Sequence, residues 1–137
     1  MGKPIKESVS ELKKCSLLCD YYLKNSEKYL LSNYVDLDDQ IAEIFNEPLG
    51  VILGIMPWNF PFWQVFRFAI PAIMAGNTVM IKHSPNTFGC GEAINQLFID
   101  SDCPENVFTS LIVNHIQVES IISNNKIKAV SLTGSDK

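Results

Sequence analysis

The sequence predicts an α/β fold in which a parallel β-sheet carries helices on its faces. Two observations support this fold class. From Pro48 onward, short runs of β-forming residues alternate with longer helix-like runs, which is typical of consecutive βαβ units. The composition also agrees, because 137 residues of which 47% are apolar are enough to bury one core.

An amphipathic helix and a β-hairpin are predicted ahead of the alternating region. Apolar residues recur at helical spacing over 6–30, with acidic residues early and lysines later, as the helix dipole favours. Two short segments, Tyr34–Leu37 and Ile41–Phe45, flank the pair Asp38-Asp39 and predict the hairpin.

The alternating region divides into four predicted strands and three predicted helices. In chain order they are strand Gly50–Met56, helix Phe62–Ala75, strand Thr78–Lys82, helix Gly89–Ile99, strand Asn106–Ile112, helix Ile116–Ser123 and strand Ala129–Thr133. Right-handed crossovers place the carboxyl ends of these strands on one edge of the sheet. The segments PWNFP, KHSPN and TGS follow the first, second and last strands. A ligand of the nucleotide type is therefore expected at this edge, although neither G-x-G-x-x-G nor a Walker motif is present.

Charge and hydropathy exclude two kinds of partner. The formal net charge is −4 and the lysines are scattered, so no nucleic-acid partner is expected. The apolar stretch 49–81 is interrupted by prolines, asparagines and one arginine, which predicts buried core rather than a membrane span. The N-terminus shows neither a secretory nor a myristoylation signal, and we expect a cytoplasmic protein.

The cysteines predict a reducing compartment. Cys15, Cys19, Cys90 and Cys103 form no C-x-x-C pair, and only two histidines accompany them. We interpret Cys15 and Cys19, four apart on the predicted helix, as small buried apolar residues, and we expect no metal site.

Two polar side chains stand out in the stretch GIMPWNFPFWQVFRFAIPAIMAG. Asn59 is either an N-cap or turn residue before Pro61, or a rigid amide that faces an oxygen turning negative in a transition state. Arg67, the only arginine, is either a surface residue or, with Gln64, part of a narrow polar stripe on an apolar helix. A charge on such a stripe needs a partner or a ligand. The TGS segment is likewise open to a plain turn interpretation.

The motifs resemble one enzyme family. EPLGVILGIMPWNFPFWQVFRFAIPAIMAGNTVMIKHSPN, followed by AVSLTGS, is similar to the aldehyde dehydrogenase superfamily, and PWNFPFWQVFRFA…AGN…KH is most similar to its succinate-semialdehyde dehydrogenase branch. The resemblance covers nearly the whole chain, and even MGKPIKESVSELKKC resembles an internal segment of the family. It implies a partial Rossmann-like NAD(P)-binding domain over 48–137. It also implies that the helix and hairpin over 1–47 begin the oligomerisation region of a homo-oligomeric parent enzyme.

The resemblance also implies roles for individual residues. Asn59 corresponds to the amide of the oxyanion hole, and Arg67, with Phe60, to residues that contact the substrate. Lys82 corresponds to the ribose-binding lysine, and Gly134 and Ser135 correspond to the pyrophosphate contacts. The full set of expected cofactor contacts is Met56, Pro57, Trp58, Asn59, Lys82, Ser84, Pro85, Gly134 and Ser135. NAD-preferring relatives often hold a glutamate where this chain has Pro85, so no carboxylate repels a 2′-phosphate here. NAD(P) is therefore the expected cofactor, with a preference for NADP.

The catalytic cysteine and glutamate of the family lie beyond the TGS segment. In the family, the cysteine thiolate attacks the aldehyde, hydride passes to nicotinamide, and the glutamate activates water. None of the four cysteines lies in a segment that resembles the nucleophile motif. We therefore expect a fragment of an aldehyde dehydrogenase that is inactive alone. The alternatives are an inactive nucleotide-binding or subunit-pairing module, and a non-functional remnant that does not fold alone.

Overall fold

The computed structural model describes residues 2–135. Their elements are α1 (Ile5–Leu30), β1 (Asn33–Leu37), β2 (Gln40–Ile44), β3 (Val51–Met56), α2 (Trp63–Met74), β4 (Thr78–His83), a short 3₁₀ turn (Pro85–Thr87), α3 (Phe88–Asp100), β5 (Phe108–Leu111), α4 (His115–Ile122) and β6 (Ile127–Leu132). The predicted order of helices and strands is confirmed, and so is the N-terminal helix followed by a hairpin.

The predicted bounds differ most at the last two strands, which were expected over Asn106–Ile112 and Ala129–Thr133. The structure starts β5 only at Phe108, because Asn106 has a φ of 65°, a left-handed conformation outside the β region. In contrast, β6 begins earlier than predicted, since Ile127 already pairs with Val51 of β3.

The sheet is parallel and has the strand order β5-β4-β3-β6. The chain first builds outward from β3 through β4 to β5, and α4 then returns it to the other side of β3. The direction of winding therefore reverses between β3 and β6. This is the order of the first four strands of a dinucleotide-binding sheet, whose ligand lies at the reversal point, beyond the carboxyl ends of the strands.

The core lies between one face of the sheet and the helices. Val79 and Ile81 of β4 are fully buried and belong to one apolar cluster with Val65 and Phe66 of α2 and with Ile94 of α3. Helix α1 packs against α2 from outside.

Gly54 allows α2 to approach β3 closely. A Cβ atom at this position would lie 2.7 Å from the side chains of both Ile81 and Phe68. A larger residue would therefore push α2 off the sheet and displace the turn that precedes this helix.

The prediction that the apolar stretch is buried throughout is wrong in part. Strand β3 and one stripe of α2 are buried, but Trp58, Asn59, Phe60 and Arg67 are exposed within residues 2–135. The reason is that α2 faces the sheet on one side only, and its opposite side meets α1 over part of its length. No helix in the described part of the chain is long and apolar enough to span a membrane.

Candidate active site

The carboxyl edge of the sheet brings the three predicted segments together. The backbone N–H of Ser84 donates to the carbonyl of Met56 at 3.1 Å, which ties KHSPN to the end of β3. The backbone N–H of Thr133 donates to the carbonyl of Ile55 at 3.0 Å, which ties TGS to the other side of β3. Gly134 is exposed just beyond this contact. PWNFP and TGS therefore flank the point at which the winding of the sheet reverses.

Lys82 is the buried cation of this edge. It lies in β4, in register with Ile55 of β3 and Leu111 of β5, and is only 4% exposed. Burial lowers the pKa of its amine, because desolvation disfavours the charged form. No side chain or carbonyl among residues 2–135 accepts a hydrogen bond from Lys82 Nζ. This amine therefore has its donors available for a ligand.

The turn that carries Asn59 is held by side chains from three places in the chain. Glu11 of α1 accepts hydrogen bonds from the backbone N–H groups of Phe62 and Trp63, both at 2.8 Å. Lys3 forms an ion pair with Glu11 and also donates to the carbonyl of Asn59 at 3.3 Å.

His83 holds the same turn from the sheet side. Its Nε2 lies 3.0 Å from the carbonyl of Pro61, and since only an N–H can bond to a carbonyl, Nε2 carries the proton. His83 is fully buried, and this desolvation lowers its pKa, so the imidazole is neutral. The Nε2–H group is therefore a fixed donor to the turn.

The N-cap interpretation of Asn59 is wrong. The first N–H groups of α2 are satisfied by the Glu11 carboxylate, and no neighbouring side chain caps this helix. Asn59 is instead a turn residue whose Oδ1 accepts from the backbone N–H of Phe60 at 3.0 Å. Among residues 2–135 nothing accepts from Asn59 Nδ2, so both of its hydrogens are available to a ligand oxygen.

A cavity of about 430 Å³ lies between α1 and the start of α2. Its lining residues are Glu7, Ser10, Glu11, Lys14, Phe60, Trp63 and Gln64. Lys14 Nζ lies 3.8 Å from the centre of the Trp63 ring, so one wall combines a cation with an aromatic surface. Within the described residues, the buried Oε1 of Gln64 has no hydrogen-bond partner. The cavity thus combines apolar walls with a few polar groups, as small-molecule sites do.

Arg67 lies one turn of α2 beyond Gln64 on the same face of the helix. Its side chain is exposed and forms no ion pair or hydrogen bond with the residues that the structure describes. Pro71 lies four residues later and lacks an N–H, so the carbonyl of Arg67 receives no helical hydrogen bond. The structure thus presents Arg67 as a cation available to a ligand or to another part of a larger protein.

The four cysteines are free thiols. Burial, together with the Glu11 carboxylate, raises the pKa of Cys15 from 9.0 to about 12. Burial also raises the pKa values of Cys19 and Cys90. Cys103 precedes β5 and therefore lies at the opposite, amino edge of the sheet. The raised pKa values of Cys15, Cys19 and Cys90 disfavour the thiolate, which is the nucleophilic form of a cysteine.

Sequence reasoning missed Lys3, Glu11 and His83. In the sequence Glu11 is one of the acidic residues early in the predicted helix, and Lys3 lies outside any motif. No local signal pointed to Glu11, because the N–H groups that it accepts from lie 51 and 52 residues away in the chain.

Comparison with known proteins places these features in one family. The profile of the aldehyde dehydrogenase family matches residues 1–137. The chain is 43% identical over 136 residues to a probable succinate-semialdehyde dehydrogenase [NADP(+)] of Synechocystis, covering 99% of this chain and 30% of that protein. It is also 43% identical over 135 residues to the succinate semialdehyde dehydrogenase [NAD(P)+] Sad of Escherichia coli, covering 98% and 29%.

Solved structures agree with the sequence comparison. The succinic semialdehyde dehydrogenase of Streptococcus pyogenes, crystallised with NADP+, superimposes with a TM-score of 0.95 at 30% identity. The match covers 98% of this chain and 30% of that one. The chain thus spans about 30% of the length of the relatives it matches.

Proposed function

Because this chain belongs to the aldehyde dehydrogenase family, we propose that it is the oxyanion- and cofactor-binding part of a succinate-semialdehyde dehydrogenase. We call the longer enzyme that would contain it the parent protein. The observation that carries the proposal is the placement of Asn59 and Lys82 at the edge where the sheet reverses its winding. An oxyanion donor and a nucleotide-binding cation are both needed at that point.

The residues of this edge fit a dinucleotide. Lys82 offers a buried amine that has no partner among residues 2–135, and this amine suits a ribose hydroxyl or a phosphate oxygen. Trp58 and Gly134 are exposed and Pro57 is half-buried, which leaves room for the rest of the cofactor. Met56, Ser84, Pro85 and Ser135 complete the set of proposed contacts. When bound, NAD(P)+ accepts a hydride from the substrate carbon.

Asn59 acts on the aldehyde oxygen. With Oδ1 held by the backbone N–H of Phe60, the Nδ2 hydrogens are free to donate to an oxygen that becomes negative when a nucleophile adds to the carbonyl. The donor is already oriented before substrate binds, so little reorganisation is required in the transition state. The nucleophilic cysteine and the glutamate that activates water belong to the remainder of the parent protein.

Arg67 and Phe60 define the substrate class. Phe60 lies in the turn before α2 and Arg67 lies within α2, seven residues later, with Gln64 between them. A short aldehyde acid spans this distance if its carbonyl meets Asn59 and its carboxylate meets the guanidinium. Succinate semialdehyde has this shape and is the substrate named for the two curated relatives described above.

The helix and hairpin over 1–47 form the start of the oligomerisation region in this proposal, while 48–137 form part of the dinucleotide-binding domain. Within residues 2–135, β1 and β2 pair with each other and with no further strand, and almost all of their side chains are exposed. Unpaired strand edges of this kind bind further strands. This exposure also favours the second candidate function, a subunit-pairing module without catalytic activity.

The isolated chain is expected to oxidise no aldehyde. Incubated with NADP+ and succinate semialdehyde, the purified chain should produce no NADPH above the protein-free rate, because loss of a covalent nucleophile leaves only a residual acceleration. Absorbance at the reduced-nicotinamide band measures the rate of NADPH formation, and the parent protein is the positive control. Steady NADPH production that disappears when one of Cys15, Cys19, Cys90 or Cys103 is replaced would contradict the proposal.

An open reading frame that continues past Lys137 into cysteine and glutamate motifs would supply the parent protein itself.

The parent protein is expected to bind NADP+ more tightly than NAD+. Pro85 occupies the third position after Lys82, at the start of a 3₁₀ turn, and is exposed. Pro85→Glu should weaken NADP+ binding about tenfold while leaving NAD+ unchanged or tighter, because the carboxylate repels the 2′-phosphate. Fluorescence titration with both cofactors measures the two affinities. Pro85→Gln is the neutral control, and tighter binding of NAD+ by the unmodified protein would show that the preference is wrong.

A further inference from the structure

We propose that Glu11 is the positioning residue of the Asn59 amide, so that the N-terminal helix aligns the oxyanion donor. The inference rests on the proposed function, because it assigns Glu11 a role through Asn59. Glu11 is distant along the chain from the segments that meet at the carboxyl edge of the sheet. In the proposed site it contacts neither the cofactor nor the substrate.

Glu11 is buried and fully engaged. It is 5% exposed, its Oε1 accepts from the N–H groups of Phe62 and Trp63, and its Oε2 pairs with Lys3. Lys3 Nζ in turn donates to the carbonyl of Asn59 and lies 3.9 Å from the centre of the Phe60 ring. The pair therefore contacts the turn on both sides of Phe60.

These contacts restrict the turn at every step. The ring of Pro61 fixes its own φ, and its carbonyl is held by His83 from the opposite side. Glu11 fixes the next two N–H groups, and its negative charge lies at the N-terminus of α2, where the helix dipole favours an anion. The direction of the Asn59 side chain is thus set by the position of α1 relative to α2.

Removing the charge of Glu11 should loosen the turn without unfolding the core. A glutamine at this position keeps the length of the side chain but loses the ion pair with Lys3 and weakens both bonds to the turn. Oxyanion donors are effective only when they are accurately placed, and a displacement of about 1 Å is enough to cost about 100-fold in rate.

The first test uses the isolated chain and amide hydrogen exchange followed by NMR. In Glu11→Gln, the N–H groups of Phe62 and Trp63 should exchange about 10- to 100-fold faster. The N–H of Val79 donates to the carbonyl of Val107 at 2.8 Å, and its exchange rate should be unchanged. Glu27→Gln, which neutralises an exposed glutamate of the same helix, is the matched control. It should change none of the three exchange rates.

A second variant separates loosening from unfolding. Faster exchange of the Val79 N–H in Glu11→Gln would show that the core has opened in this variant. The experiment is then repeated with Glu11→Asp, which keeps the charge and withdraws the carboxylate by one methylene. Faster exchange confined to Phe62 and Trp63 supports the inference. Unchanged exchange at both residues in a folded variant overturns it.

The kinetic test uses the parent protein. Glu11→Gln should lower kcat about 10- to 100-fold and leave the KM for aldehyde within about threefold, since the misplaced donor acts in the transition state. In a protein that already carries Asn59→Ala, adding Glu11→Gln should lower kcat little further, because the amide that Glu11 positions is no longer present. Full additivity of the two substitutions overturns the role of Glu11. If Asn59→Ala alone leaves kcat unchanged, the proposed function fails instead, and the exchange result still stands on its own.

Discussion

Replacing Asn59 by alanine in the parent protein is expected to lower kcat for aldehyde oxidation about 100- to 1,000-fold, the loss seen when one oxyanion donor is removed. The physical reason is that Nδ2 has no other acceptor among residues 2–135, whereas Oδ1 is fixed by the N–H of Phe60. Steady-state rates with NADP+ and succinate semialdehyde measure the effect. The KM should change much less than kcat, because the interaction strengthens only as charge develops on the oxygen.

Asn125→Ala is the matched control for this substitution. Asn125 is exposed in the turn before β6 and lies at the amino edge of the sheet, away from the proposed site. Its replacement should leave both constants within about twofold, as surface substitutions usually do. An Asn59→Ala variant that raises KM while keeping kcat would show that the amide only helps to bind the ground state. The oxyanion assignment would then be wrong.

Arg67→Leu in the parent protein is expected to depress kcat/KM for succinate semialdehyde about 30- to 1,000-fold. A bidentate contact between a guanidinium and a carboxylate in a site closed to water contributes on the order of 2–4 kcal/mol. Arg67 is exposed within residues 2–135, so the prediction requires that the remainder of the parent protein covers it. Butanal, which has a similar length and no charge, should be oxidised at an unchanged or higher rate.

Arg67→Lys tests whether geometry or charge alone matters. An ammonium keeps the charge but not the planar fork, so this variant should recover only part of the loss for succinate semialdehyde. Equal losses for butanal and succinate semialdehyde would identify Arg67 as a structural residue. The assignment of a carboxylate-bearing substrate would then fail with it.

The sequence by itself determined the order of the elements and the edge of the sheet at which the three motif segments meet. The strand and helix runs after Pro48 have different hydrophobic periods, which are local properties, and the structure confirms their order with small changes of bounds. The rule that parallel crossovers are right-handed then brought PWNFP, KHSPN and TGS to one edge. The hydrogen bonds from Ser84 to Met56 and from Thr133 to Ile55 confirm that they meet there.

Only the tertiary structure decided what holds Asn59 and what surrounds Arg67. Capping of α2 by Glu11 joins residues that lie 51 apart in the chain, and a contact of this kind leaves no pattern in the residues next to either partner. Hydrophobic residues around Arg67 predicted burial, but burial depends on which elements pack on each side of α2, and the described chain leaves this side chain exposed. Periodicity reports the structure of a segment, whereas exposure and positioning are properties of the neighbours that the fold brings to it.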